Sequence, residues 1–161
     1  MPVNRLRDYL DSQHVAYISI FHSVAYTAQG VAAVTHIPGK ELAKTVIVNL
    51  DGMPVMAVIP AQSHVDLCSL REIANAKHAE LESEAEFKGK FPDCETGAMP
   101  PFGNLYAMKV FADIRLTLDK EIAFNAGSHR EVIRMAWKDY VALVKPTIAN
   151  LTTSHSAADA A

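Results

Sequence analysis

The segment Thr45-Val46-Ile47-Val48-Asn49-Leu50-Asp51-Gly52-Met53-Pro54-Val55-Met56-Ala57-Val58-Ile59 constrains this chain more than any other. Two runs of β-branched and apolar residues flank Asp51-Gly52, a dipeptide suited to the positive-φ positions of a tight hairpin turn. The pattern predicts antiparallel strands over 45–50 and 54–59, closed by Pro60. Both runs are apolar on both faces in places, so the hairpin belongs in the middle of a sheet with cover on each side. That cover must come from the rest of the chain, and 161 residues supply one domain's worth.

Periodicity places the surrounding elements. Residues 4–13 read as a helix with Leu6, Tyr9 and Leu10 on one face, and 15–21 as a strand. Thr27 is suited to cap a helix running to about His36, with Ala28, Val31, Ala32 and Thr35 on one side and Pro38-Gly39 as its stop. Residues 66–79 carry Leu67, Leu70, Ile73 and Ala74 at helical spacing. Residues 80–86 read as helix or helix start, with Ser83 capping 84–90. Residues 92–104, with three prolines and two glycines, form an ordered loop. Strands are predicted over 105–111, 114–118 and 122–124. A helix follows over 129–144, where Ser128 and Glu131 have the spacing of a capping box. A short piece covers 148–151. Strand pairs with helices between them, without regular βαβ alternation, predict an α/β fold of the α+β type. The boundaries are a single domain over 1–151 and a flexible tail over 152–161.

Charge and motifs remove several classes of function. Fifteen Lys and Arg against eighteen Asp and Glu give a formal charge of −3, so a protein that coats duplex DNA is excluded, while a local basic pocket for one RNA end is allowed. Cys68 and Cys94 form no Cys-x-x-Cys pair. Cys68 reads as a buried structural cysteine, and Cys94 lies next to acids that disfavour a thiolate. There is no phosphate-binding Gly-x-x-x-x-Gly-Lys-Ser/Thr loop, no Gly-x-Ser-x-Gly elbow and no His-Glu-x-x-His, and none of His22, His36, His64, His78 and His129 pairs at i,i+3 or i,i+4 with another plausible ligand on one helix. No cofactor and no metal are expected. The N-terminal residues lack the apolar run of a signal peptide and no 18-residue apolar stretch occurs, which predicts a cytoplasmic, reduced protein with no membrane partner.

Three local features stand out. Lys44 enters a very apolar strand, where its ammonium needs polar groups or an anion. Gly97-Ala98-Met99-Pro100-Pro101-Phe102-Gly103 fixes an unusual backbone path. Phe124-Asn125-Ala126-Gly127-Ser128-His129-Arg130-Glu131 combines a turn with a histidine that the capping box leaves unexplained.

Together and in this order, these segments resemble the YbaK/prolyl-tRNA synthetase editing-domain family, also called the aminoacyl-tRNA synthetase-associated domain. Ala43-Lys44-Thr45-Val46-Ile47-Val48 is similar to its lysine-bearing strand, Gly97-Ala98-Met99-Pro100-Pro101 to its Gly-x-x-x-Pro loop, and Phe124-Asn125-Ala126-Gly127-Ser128-His129 to its late Asn-Ala-Gly segment. The likeness spans about residues 3–150.

The resemblance implies a mixed, mostly antiparallel, barrel-like sheet surrounded by helices. It implies a freestanding deacylase that hydrolyses the ester of a small mischarged amino acid, Ala or Cys, on tRNA, above all tRNA-Pro. Lys44, Gly97 and Ala98 would serve catalysis: the lysine as an electrostatic anchor, the loop amides as oxyanion donors. His22, Met99, Pro100, Pro101, Phe102, Gly127, Ser128 and His129 would bind substrate. The partners implied are the tRNA acceptor end and a cognate synthetase, with Lys40, Lys88, Lys90, Lys109 and Arg130 placed to reach phosphates. A non-catalytic tRNA- or nucleotide-binding module of the same fold is the alternative that substrate testing separates.

Overall fold

The computed structural model describes residues 4–153, apart from the side chains at 4, 28 and 29. Its central feature is the hairpin. Strand β2 (Leu42–Leu50) pairs antiparallel with β3 (Met53–Pro60), from Leu50↔Met53 to Ala43↔Pro60. Asp51 (φ 51°) and Gly52 (φ 90°) make the turn. The Asp51 carboxylate accepts the backbone N–H groups of Lys77 and His78 at 2.8–3.1 Å, which holds that carboxyl below its ordinary pKa and ties the turn to a distant segment.

Around the hairpin lie helices α1 (Asn4–Ser12), α2 (Ala28–Thr35), α3 (Leu67–Ile73), α4 (Glu84–Phe87) and α5 (Trp137–Val144). The other strands are β1 (Tyr17–Phe21), β4 (Ala79–Leu81), β5 (Val110–Asp113), β6 (Glu121–Asn125), β7 (Glu131–Ala136) and β8 (Thr147–Ala149). The eight strands form one mixed sheet in the order β1-β7-β6-β2-β3-β5-β8, with β4 added to β2. The β1–β7, β6–β7, β2–β3 and β2–β4 pairs are antiparallel; β2–β6, β3–β5 and β5–β8 are parallel. The expected mixed α/β sheet with helices around it is what the chain forms.

The edge of β2 facing away from β3 is shared. At its start it pairs with β6, as Leu42↔Ala123 and Ala43↔Phe124. At its end it pairs with β4, from Val48↔Leu81 to Leu50↔Ala79. Between them Glu82 N–H reaches the Ile47 carbonyl, and residues 44–46 have no strand partner on that edge. The sheet is therefore split beside Lys44, where β6 turns away at Asn125.

The largest core cluster joins α1, β2, β6, β7 and the 98–108 loop. Phe102 sits at its centre, edge-on to Tyr9, Phe124 and Tyr140. Burying each such ring stabilises the fold by about 1.5–3 kcal/mol. The Tyr140 hydroxyl donates to the Pro101 carbonyl at 2.8 Å, so the aromatic cluster also grips the Gly/Pro loop.

Several local expectations are corrected. Residues 66–79 do not form one helix: α3 ends at Ile73, Asn75 takes a positive φ of 55°, and residues 79–81 become β4. Ser83 does cap, in a full capping box with Glu86, but for a helix of one turn followed by a 3₁₀ turn. The strand expected over 105–111 is β5, shifted to Val110–Asp113. The strand expected over 114–118 is a 3₁₀ helix, because the Asp113 carboxylate accepts the Arg115 N–H and starts a turn. The helix expected from 129 is strand β7 up to Ala136, and only 137–144 is helical. Cys68 is exposed, not buried. Burial pushes the Cys94 thiol up to about 11, in line with an unreactive cysteine. The expected role of Ala28 and the tail from 154 onward lie outside the described residues; Thr152 is buried and bridges to Val65. Among the described residues, no helix is long and apolar enough to cross a membrane, and no group of three His, Cys, Asp or Glu could hold a metal.

Candidate active site

Three chain segments meet beside the split in the sheet, and backbone hydrogen bonds fix their mutual position. β1 runs out at Phe21↔Glu131. His22 N–H then donates to the Arg130 carbonyl (2.9 Å) and Ala25 N–H to the His129 carbonyl (3.2 Å), which lays residues 22–25 along the β6–β7 loop. That loop is clasped from the other side by the Gly/Pro loop. Gly127 N–H donates to the Ala98 carbonyl and Glu95 N–H to the Gly127 carbonyl, both at 2.8 Å. Gly127 (φ 95°) and Gly97 (φ 88°) occupy the left-handed region that disfavours side chains, so the sequence places glycine where these turns require it.

His129 is the hub. It is not on the surface of a helix: it is buried in the β6–β7 loop. Its backbone N–H donates to a Glu95 carboxylate oxygen at 2.7 Å, and its Nε2 lies 2.8 Å from the Thr96 carbonyl. A carbonyl only accepts, so Nε2 carries a proton, and the tautomer with that single proton presents Nδ1 as a bare acceptor. Nδ1 is buried and has no partner among the described residues. His22 repeats the pattern: Nδ1 donates to the Ser23 carbonyl (2.6 Å), and Nε2 is buried without a partner. Asn125, where β6 leaves β2, has a buried, unpartnered Oδ1.

The donors are fewer. The Ala98 N–H is engaged by the Glu95 carbonyl at 3.0 Å, so this amide is not the free oxyanion donor that the sequence suggested. Gly97, one residue earlier, is exposed, and its N–H has no partner among the described residues. Lys44 lies on β2 opposite Ile59, half-buried, with no hydrogen bond or ion pair among the described residues. Burial lowers its pKa, because the ammonium has lost water without gaining an anion.

The remaining candidates divide. Ser128 does not form the expected capping box; its Oγ accepts the Arg130 N–H at 3.1 Å and tightens the loop, while Glu131 sits in β7 paired with Arg7. Met99, Pro100, Pro101 and Phe102 are buried, and Met99 and Phe102 pack with Ala43 and Ile47, on the β2 face opposite Lys44. They hold the loop from behind. Of the basic residues, Lys90 is committed to Glu82 (2.9 Å), Lys109 lines a separate cavity with α3 and β5, and Arg130 is exposed in the site loop.

Two contributors were not found from sequence. Glu95 organises the loop through backbone contacts, and its only sequence signal is its place two residues before Gly97. Tyr26 packs its ring against His129, centroids 4.9 Å apart; nothing local distinguishes it.

Comparison with known proteins speaks to the family and the fold. A family described as an aminoacyl-tRNA editing domain matches residues 22–143. A protein of Escherichia coli (strain K12) named multifunctional Ser/Thr-tRNA deacylase ProXp-y is 31% identical over 139 residues, covering 81% of this chain and 83% of that one. The crystal structure of a hypothetical protein superposes with a TM-score of 0.84 at 17% identity, covering 93% of this chain and 100% of the other. That of a candidate trans-editing enzyme for prolyl tRNA synthetase gives 0.81 at 17% identity, over 95% and 98%. At these identities the two structures speak for the fold.

Proposed function

The chain belongs to the aminoacyl-tRNA editing domain family and is an aminoacyl-tRNA hydrolase; from that premise we propose that it clears small, wrongly attached amino acids from tRNA in trans, with the β2 split as its active site. The observation that carries this reading is the unbalanced hydrogen bonding at the split. Three buried acceptors (His22 Nε2, His129 Nδ1 and Asn125 Oδ1) lack donors, while the Gly97 N–H and the Lys44 ammonium lack acceptors. Buried polar atoms are normally satisfied, so the three acceptors anticipate a ligand, to which the exposed Gly97 N–H and the half-buried Lys44 ammonium are open. An aminoacyl ribose has the complementary groups: an α-ammonium and a vicinal hydroxyl to donate, an ester carbonyl and a phosphate to accept.

In this assignment a water attacks the ester carbonyl, and the tetrahedral oxyanion forms against the Gly97 N–H. One preorganised donor of this kind is worth about 10²–10³ in rate. The Lys44 ammonium stabilises the same negative charge or anchors the terminal phosphate. The ribose oxygen leaves with the proton that the water gives up, and amino acid and tRNA separate. No protein nucleophile is required, because the aminoacyl ester is already activated.

The substrate has a small side chain. Ala or Cys on tRNA-Pro is the class the sequence resemblance suggests; the surplus of acceptors favours an additional O–H donor, as in Ser and Thr, the residues in the name of the curated relative. The acidic chain binds tRNA loosely in the cytoplasm, and a synthetase partner that hands over the mischarged product suits that weakness.

The deciding experiment charges tRNA-Pro and the cognate tRNAs with Ser, Thr, Ala or Cys, includes Pro-tRNA-Pro as control, and follows ester loss with wild type and Lys44→Ala. Release of Ser or Thr esters, reduced about 10²-fold or more in the variant, is expected. Equal activity of Lys44→Ala removes the lysine from the mechanism. Release of large side chains but no small ones overturns the assigned class.

A further inference from the structure

We propose that Phe21 and Tyr26 form a stacking platform for the unpaired nucleotides at the 3′ end of the tRNA, beside the ester-hydrolysing site; the proposal rests on the function assigned above and adds a substrate-binding surface to it. The chain has twelve Phe, Trp and Tyr residues, all within the described region. Ten are buried or half-buried. The two exposed rings are Phe21 (69%) and Tyr26 (76%), five residues apart on the segment that leaves β1 and runs along the site loop.

Each ring is supported on one side. The Arg7 guanidinium lies over Phe21 at 5.5 Å from the ring centroid, and Arg7 is itself paired with the buried Glu131. The imidazole of His129 lies 4.9 Å from Tyr26 at an interplanar angle of 57°. The Tyr26 hydroxyl has no hydrogen bond among the described residues, so packing on His129, not a polar anchor, sets the ring's position. Rings held on one side and open on the other are the sequence-tolerant surfaces on which single-stranded bases stack. Exposed Arg130, whose carbonyl holds the His22 N–H, provides a cation with no ion pair among the described residues for an intervening phosphate. The segment between the rings carries His22 and Ser23 beside the exposed Val24, so polar groups interrupt the apolar surface. That composition fits nucleotides better than a second protein surface.

A terminal ribose seated at Gly97 brings the unpaired 3′ nucleotides beside this surface, because Tyr26 rests on His129, whose ring borders Gly97. Stacking holds the strand without contributing to ester cleavage. Its loss therefore appears in KM and leaves kcat in place.

The test uses the full chain and an ACCA tetranucleotide carrying 2-aminopurine in place of the terminal adenine. Wild type is expected to quench the fluorophore, Tyr26→Ala and Phe21→Ala to weaken binding by roughly 5- to 150-fold each, and Tyr26→Trp to retain it. Phe21→Ala should raise KM for aminoacyl-tRNA with kcat unchanged, and Tyr26→Ala should raise KM as well. Unaltered oligonucleotide binding and KM in both variants overturn the platform, even if the enzyme deacylates as assigned. Alanine variants that change the sedimentation coefficient of the protein but not RNA binding also overturn it, and reassign the rings to contact between copies. Aromatic-dependent oligonucleotide binding by a wild type that hydrolyses no aminoacyl ester supports the platform and overturns the catalytic assignment instead.

Discussion

Lys44 shows how a functional residue weakens the fold that presents it. Its pKa is lowered by burial, so the folded state binds protons less readily than the unfolded state below the ordinary lysine value of 10.5. Stability should rise with pH between the lowered pKa and 10.5, and the full penalty applies below that window. Lys44→Met keeps the length and removes the charge. At pH 7 it is expected to stabilise the protein by about 1 kcal/mol, a modest gain because the ammonium is only half-buried. In urea unfolding the gain should shrink as the pH is taken toward 10.5, while deacylation is lost at every pH. Destabilisation by Lys44→Met at pH 7 would mean that the ammonium has a favourable partner in the fold. This residue was legible because a lysine in an apolar strand breaks a local rule, as Gly97 and Gly127 were legible by their place in ordered motifs. The unpaired nitrogens of His22 and His129 were not, since which ring nitrogen is occupied depends on carbonyls of other residues.

At the level of elements, the misreading of β7 is the instructive one. Ser128 and Glu131 have capping-box spacing, and Val132, Ile133, Ala136 and Tyr140 suit a helix. Yet β7 pairs along its length with β1 and β6, and its residues 132, 133 and 135 are buried. Val132 and Ile133 pack into different clusters on opposite faces of β7, which blurs the alternation that marks a half-buried strand. The hairpin β2–β3 was legible because its turn residues lie next to its strands; β7 depends on partners more than a hundred residues away in β1. Its one charged buried residue, Glu131, is satisfied by Arg7 of α1, whose Nε has no partner. Arg7→Met should leave that carboxylate buried and unpaired, costing about 3–5 kcal/mol. The double variant Arg7→Met, Glu131→Leu is expected to recover most of the loss. Chemical denaturation of the two proteins distinguishes this from simple packing damage, in which the second substitution only adds to the first.

The whole molecule is acidic and acts on a polyanion, so its contact with tRNA has to be small and local. The formal charge is −3, Lys90 is taken by Glu82, and Lys109 lies at a cavity formed with α3 and β5. That leaves Arg130 and Lys44 as the cations tied to the site, enough for two or three phosphates of a single strand. Each such contact contributes about −0.7 to the slope of log affinity against log salt, so a slope of about −1.5 to −2 is expected. A protein gripping the duplex acceptor stem through six or more phosphates would give about −5 or steeper, at about −0.9 for each contact. The measurement is KM for a mischarged tRNA between low and physiological salt, with Arg130→Gln as the internal control that flattens the slope by about one contact. A shallow slope confines recognition to the 3′ end. A steep slope would require a second basic surface, and Lys40 and Lys88, both exposed, would then be the residues to substitute next.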